Sequence, residues 1–349
     1  MIIAYFITCF TATAGIYFGV LLALFLSCNI VLKLPLITHA GILPLLALLL
    51  LPVMALFALP LATSMAVQST IGEHRARDEL VMIAFLKPAL RSLRLSVLCF
   101  GLLSVGLYAF FAFYLAPQGY VLSKKLFFNA AKDQLLHVEP RVFHSPVPLL
   151  SFYVDQKQPS KQYGTIFKRL ILIVRGKQQE QLFFAAECGF FDDRRLVLIN
   201  GHMVSYKNKE AHTAFFKKTA LHLDAYLQPS AEKKVLTQGR FLTIQQLFHA
   251  AGTQQDLSFE LHKRIAQTLW QLVLVLLASV FAFYQRGSSL LRTLLSCGSA
   301  FLSTYLLIML AQTYQDHALL SLMILYVPLV LALAASIMLL INARSVICF

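Results

Sequence analysis

The chain has 349 residues, 58% of them hydrophobic and only 13% charged, with a mean hydropathy of +0.70. A soluble domain carries about 25% charged residues, so this much apolar side chain cannot be hidden in the chain's own core, and a bilayer must take the rest. The net charge of +14 comes without any recognition module for nucleic acid, and most of the excess sits where basic residues face water or anionic lipid.

Residues 1–32 form one uncharged stretch, since the first charged residue is Lys33. That exceeds the ~20 residues a spanning helix needs. It also lacks the basic n-region and the short apolar run of a cleavable signal peptide. A breaker cluster follows (Pro35, Thr38, His39, Gly41, Pro44). A second uncharged run then continues through Ile71 and stops at Glu73, with Pro44, Pro52 and Pro60 inside it. Prolines are tolerated in membrane helices but kink them. After a charged stretch, 73–94, the third span covers 95–116, and Pro117-Gln118-Gly119 ends it. The fourth runs from 265 to 285, bounded by Arg264 and Arg286. The fifth occupies about 293–313 and the sixth about 319–341, closed by Arg344.

Between the third and fourth spans lies an insert that reads as β. Residues 169–174 are a compact β-branched run. Residues 196–199 meet 202–206 across Asn200-Gly201, a strong signal for a hairpin because both turn positions tolerate φ > 0. Leu221, Leu223, Ala225 and Leu227 alternate with His222, Asp224 and Tyr226, the pattern of a half-buried strand. Several short strands at this spacing suggest a sandwich, jelly roll or open roll. A short helix is expected over 243–251, and another from about Ser258 leads straight into the fourth span.

Orientation follows from the short loops. Arg75, Arg77, Lys87, Arg91, Arg94, Arg286, Arg292 and Arg344 lie on one side, against Lys33 and Asp316 on the other. The positive-inside rule therefore places both termini in the cytoplasm and the insert outside, because long domains translocate regardless of their charge.

No phosphate-binding G-x-x-x-x-G-K-[ST] loop occurs, so the chain has no ATPase engine of that type. Bounded as above, the spans contain no Asp, Glu, Lys, Arg or His. That argues against a gradient-driven transporter or a voltage sensor. Ser299 and Ser303 have no histidine at their depth to activate them, which disfavours an intramembrane protease. His202, His212 and His222, ten residues apart, read as polar positions on exposed strands and not as a metal site. The six cysteines (Cys9, Cys28, Cys99, Cys188, Cys297, Cys348) read as small buried hydrophobes. Only Cys188 falls in the insert, and no pair has ligand spacing. No cofactor is expected.

The segment 73–94 carries the most information. Its first half, about 76–86, reads as a short helix with charges at its start, and Pro88 suits the first turn of the next helix. Lys87, Arg91 and Arg94 share one face of that helix at headgroup depth. A short helix across the cytoplasmic face, between two spans, could transmit force from a soluble partner. An ordinary solvated loop is the other reading of the same spacing.

Five pieces together resemble the LptF/LptG (YjgP/YjgQ-type) permease family of lipopolysaccharide export. They are Leu59-Pro60-Leu61-Ala62; Asp78-Glu79-Leu80-Val81-Met82-Ile83-Ala84, similar to that family's coupling helix; Ala116-Pro117-Gln118-Gly119; Phe184-Ala185-Ala186 with Leu196-Val197-Leu198-Ile199-Asn200-Gly201; and Glu260-Leu261-His262-Lys263-Arg264-Ile265-Ala266. The resemblance spans nearly the whole chain. It implies a polytopic α-helical membrane protein with six transmembrane helices and an extracytoplasmic all-β, jelly-roll-like domain between helices 3 and 4. The expected layout is 1–117 (helices 1–3, with the coupling helix at about 73–88), 118–259 (the β domain) and 260–349 (helices 4–6).

The resemblance further implies a non-catalytic inner-membrane permease subunit of an ABC-type system, with the β domain in the periplasm. Its partners would be a cytoplasmic ATPase dimer, a second paralogous permease, a periplasmic bridge protein and lipopolysaccharide or lipooligosaccharide. The glycolipid would enter between the first span of one permease and the fifth of the other. Arg77, Asp78 and Glu79 would face the ATPase, and Lys33 would stand near the lipid phosphates. Three departures from the family pattern stand out: Phe85-Leu86-Lys87-Pro88 where a Gly and a Ser usually follow the coupling helix, no basic residues before span one, and no proline near Thr268. The alternatives are a mechanotransmitting subunit for another cargo, such as lipoprotein release, whose layout usually has four spans, and a membrane scaffold without cargo.

Overall fold

A computed structural model describes residues 2–33, 42–85, 87–123, 126, 139–147, 150–160, 164–175, 181–192, 195–207, 210–222, 242–251, 255–284, 289–315 and 317–347. Among them, six helices are long and apolar enough to cross a membrane: Ile2–Val31, Leu43–Ala76, Pro88–Ser123, Leu257–Tyr284, Leu290–Thr313 and Ala318–Asn342. One antiparallel sheet lies between the third and the fourth in sequence. The chain divides into two compact units. One holds Met1–Val31, Pro44–Val121 and Gln238–Phe349, and the other Leu32–Leu43 and Leu122–Thr237.

In the helical unit, α1 is Ile2–Lys33, α2 Ile42–Ala76, α3 Glu79–Phe85 and α4 Lys87–Phe110, which continues through a π turn at Phe111–Leu115. After the insert come α5 (Ile244–Ala251), α6 (Gln255–Tyr284), α7 (Leu290–Thr313) and α8 (Ala318–Ile347). Phe6 and Phe10 of α1, Val67 and Ile71 of α2, Leu93 and Val97 of α4, and Val275 and Phe283 of α6 share one apolar cluster. Hydroxyls inside the spans bond back onto their own helices: Thr8 to the Ala4 carbonyl at 2.8 Å, Thr11 to Ile7 at 2.9 Å, Ser303 to Ser299 at 2.8 Å. This satisfies them where no water is at hand.

The prolines of the second span are tolerated as expected, whereas two boundaries differ from the sequence reading, each for a local reason. Helix α2 runs unbroken through Pro52 and Pro60. Just past the second proline, the Thr63 hydroxyl donates to the Leu59 carbonyl at 2.8 Å and the Ser64 hydroxyl to the Pro60 carbonyl, back-bonds that satisfy both hydroxyls within the helix. Pro117 does not end the third span, which extends to Ser123. Its missing N–H falls just after the π turn, where the Ala116 N–H already reaches back to Phe111 and the regular ladder is interrupted. Helix α6 starts at Gln255, close to the helix start expected near Ser258, but the apolar span it carries begins at Leu257 and not at Ile265, so Glu260, Lys263 and Arg264 lie within the span, buried, and do not border it. Cys297 is buried as expected, whereas Cys28 is exposed on α1. His39, Asp316 and Cys348 lie outside the described residues.

The second unit contains β1 (Phe143–Val147), β2 (Leu150–Ser160), β3 (Gly164–Arg175), β4 (Gln181–Asp192), β5 (Arg195–Lys207) and β6 (Glu210–His222). They form one six-stranded antiparallel sheet in chain order, so the described strands make a meander. Its core is apolar: Phe152, Phe167, Leu170, Leu172, Leu196 and Leu198 are all fully buried. Pro146 sits in β1, at the edge, where a missing donor costs little. Of the strand expected at 221–227, only Leu221 and His222 are described, as the end of β6.

Asn200-Gly201 is not a hairpin turn. Strand β5 passes straight through it, pairing with β4 and β6 on both sides. Asn200 does adopt the positive φ that the dipeptide favours, at 49°, but it does so inside the strand. Arg169 on β3 (φ 49°) and Arg141 before β1 (φ 69°) do the same. Val154 pairs with Leu170 and Gln156 with Lys168, so Asp155 faces Arg169, and the same reading places Glu187 beside Arg169, Asn200 beside Glu187 and Lys217 beside Asn200. One irregular column thus crosses β2 to β6. Inward positions change parity across it: Phe167 but then Leu170 and Leu172 on β3, Leu196 and Leu198 but then Met203 on β5. A lone irregularity would turn half a strand inside out; aligned on every strand, it creases the sheet and keeps one face apolar. Glycine at 201 is required there, because a Cβ would stand 2.3 Å from the Ala185 carbonyl oxygen.

Candidate functional site

Two places in the helical unit concentrate polar groups. The first is the elbow between α2 and α4. Helix α2 ends at Ala76, and Asp78 takes the left-handed conformation (φ 59°) that closes many helix C-termini. Its N–H bonds the Arg75 carbonyl at 3.1 Å, and the Arg77 N–H bonds Glu73 at 3.2 Å. Glu79 then opens α3. Arg77, Asp78 and Glu79 are therefore consecutive on the bend, with Arg77 and Asp78 exposed.

Glu79 is held from behind. Its Oε2 lies 2.5 Å from Nδ1 of His74, a largely buried residue. The His74 ring stands edge-on to Phe6 at 5.2 Å and to Tyr5 at 6.2 Å, both on α1. Arg75 anchors the other side, bonding the Phe283 carbonyl at the end of α6. Ile83 packs onto the helical core, while Met82 and Phe85 are 70% and 73% exposed. The short helix thus presents a carboxylate and two large apolar side chains outward from a braced base. Lys33 is the last residue of α1, and the residues that follow it lie outside the described ones.

The second place is a cavity of about 200 Å³ among α2, α4, α6 and α7. Glu260, Lys263 and Arg264 line it at the i, i+3 and i+4 positions of α6, one helical face, and are 3%, 6% and 5% exposed. The carboxylate accepts from the Lys263 Nζ and, at 3.3 Å, from the Arg264 Nε. Arg264 Nη1 donates to the carbonyls of Leu242 (3.0 Å) and Ala112 (3.4 Å). Deeper in, Gln271 donates to the Thr63 hydroxyl at 2.7 Å, and its Oε1 is buried with no hydrogen-bond partner.

Three of the five segments that carried the family resemblance meet on this cavity, through Pro60, through Ala116 and Pro117, and through the charged face of α6. Sequence reasoning took Arg264 as the border of a span and so missed the buried cluster. The available signal was the i, i+3, i+4 spacing of one acid and two bases beside an uninterrupted apolar run. His74 was missed because its partner lies across the elbow. No group of His, Cys, Asp or Glu suited to a metal ion occurs among the described residues.

A family model described as lipopolysaccharide export system permease LptF/LptG matches residues 2–342. No curated protein matches the chain.

Proposed function

Starting from the fact that the chain belongs to the LptF/LptG family of lipopolysaccharide export permeases, we propose that it is the force-receiving membrane subunit of an ATP-driven exporter. In this reading it extracts lipopolysaccharide or lipooligosaccharide from the inner membrane and passes it to a periplasmic bridge. A separate cytoplasmic ATPase dimer hydrolyses the nucleotide, and a second, related permease completes the path.

The elbow carries the reading. An exposed acid next to exposed Met82 and Phe85 is a small amphipathic patch that water tolerates poorly, and a soluble partner with a basic rim and an apolar cleft would cover it. The brace behind it, from His74 to α1 and from Arg75 to α6, gives a push on the elbow two routes into the spans. The uneven packing of the spans supports the second permease. Of the most apolar 18-residue stretch, only 6% is buried within this chain in the first span, 17% in the sixth and 22% in the fifth, against 67% in the fourth. Helices so little covered by their own chain are free to line a shared lipid path. In the same reading, and in keeping with the positive-inside rule, the elbow and both termini lie in the cytoplasm and the β domain in the periplasm.

Glu79→Lys tests the reading. The expected result is loss of the ATPase on co-purification and loss of lipopolysaccharide export, with the permease still folded in the membrane. Retained ATPase binding together with undiminished export would remove the elbow from the mechanism.

A further inference from the structure

We propose that Arg264 is a positioning residue that ties the chain segments leading to and from the inserted domain onto the fourth span, so that a displacement of that span moves both segments together. The inference rests on the export reading, since it concerns how motion reaches the insert.

The guanidinium is where three stretches of chain far apart in sequence meet. Its Nε is fixed by Glu260 on the same helix. Its Nη1 serves Ala112, in the last span before the insert, and Leu242, the first described residue after it. The planar fork of arginine can hold such divergent acceptors at once, whereas a lysine ammonium is a point charge on a flexible stem.

Packing alone does not require this group. Leu242, Leu247, Leu257 and Leu261 already join α5 to the start of α6 by apolar contact. Charges taken out of water are unfavourable unless paired and hydrogen-bonded. Burying three of them where a leucine contact already exists adds direction to the joint, not adhesion. The acceptor on α4 is equally specific. Ala112 offers its carbonyl from the π turn, where the ladder is interrupted, and such turns gather at functional places in helices. Gly119, further along the third span, lies so close to α2 that a Cβ would stand 2.5 Å from the Leu49 carbonyl oxygen, so this end of the span is packed tightly onto its neighbour. The same cavity leaves the Gln271 acceptor open.

The test uses the complete assembly, with its ATPase and second permease, in liposomes loaded with lipopolysaccharide. E260M/K263M/R264M removes the charges without stranding any of them. Such replacement keeps or raises the melting temperature of a well-packed protein. The expected result is ATP hydrolysis within about twofold of the native assembly and a loss of about tenfold in lipopolysaccharide transferred per ATP. R264K keeps the charge and loses the fork, and is expected to lose about threefold per ATP. Native transfer per ATP in either variant overturns the proposal. So does a loss of hydrolysis and transfer in parallel with folded protein, which is the mark of a purely structural cluster. If the native assembly hydrolyses ATP and moves no lipopolysaccharide, the export reading fails before the variants are compared.

Discussion

The two units place their polar groups in opposite ways. In the helical unit they are few, mostly buried and paired along or between helices: Glu260 with Lys263 and Arg264 along α6, and, across helices, Gln271 with Thr63 and Gln68 with Ser296 at 2.9 Å and with Cys297 at 3.0 Å. In the β unit they stand in a row across the strands and are exposed, except for the half-buried Asp155. Asp155 lies 3.4 Å from both Arg141 and Arg169, and Asn200 donates to Glu187 at 3.3 Å, all on the outer side of an apolar core. The difference follows from the solvent. Lipid is as apolar as leucine, so apolar contact alone does little to choose one helix partner over another, and polar bonds supply the choice. In water the hydrophobic effect joins the layers, and charges need only stay wet.

Four substitutions in the full chain test that contrast by thermal unfolding in detergent. Glu260→Ala should have the largest effect, about 3–5 kcal/mol, because it strands two buried cations; a cost below about 1 kcal/mol would show that the cluster is solvated after all. Leu170→Ala, in the sheet core, should cost about 2–5 kcal/mol through lost burial and a cavity, measured as loss of amide protection in β2 to β4. Gly201→Ala should cost about 1–3 kcal/mol, since the added methyl meets backbone and not a movable side chain. Protection should fall first in β4 to β6, and an unchanged exchange pattern would remove the need for glycine at the crease. Asp155→Asn should cost least, about 0.2–1 kcal/mol, and its effect should vanish in 1 M salt where the Debye length is about 3 Å. The Glu260 effect should persist in the same salt. Equal salt sensitivity at the two sites would collapse the contrast.

The sequence displays well whatever the solvent enforces over many residues. The six spans, their order and the position of the β insert follow from long apolar runs and from strand-like alternation, and the structure has them. The consecutive Arg77, Asp78 and Glu79 fall on the bend between α2 and α4 because a charged break between two apolar runs leaves nowhere else for a turn. Features decided by a few contacts were harder to see. Arg264 looked like a span boundary because a charge beside an apolar run usually is one; its burial depends on Ala112 and Leu242, which are remote in sequence. Asn200-Gly201 gave a correct local signal, positive φ, whose result depended on neighbours. With β4 and β6 in register on both sides, the strand creases where it would otherwise reverse. The continuation of α4 through Pro117 depends on a π turn that no periodicity announces.

The meander has a further consequence, for the order in which the insert can be built. Each described strand pairs only with the strands before and after it in the chain. A polypeptide threaded out of the ribosome or a translocon amino end first can therefore add one hairpin at a time, every new strand finding its template already waiting. A Greek-key order would make an early strand wait, unpaired, for a much later one. Sequential zippering keeps the growing edge one strand wide throughout synthesis, which shortens the interval in which an open edge can capture a stray chain.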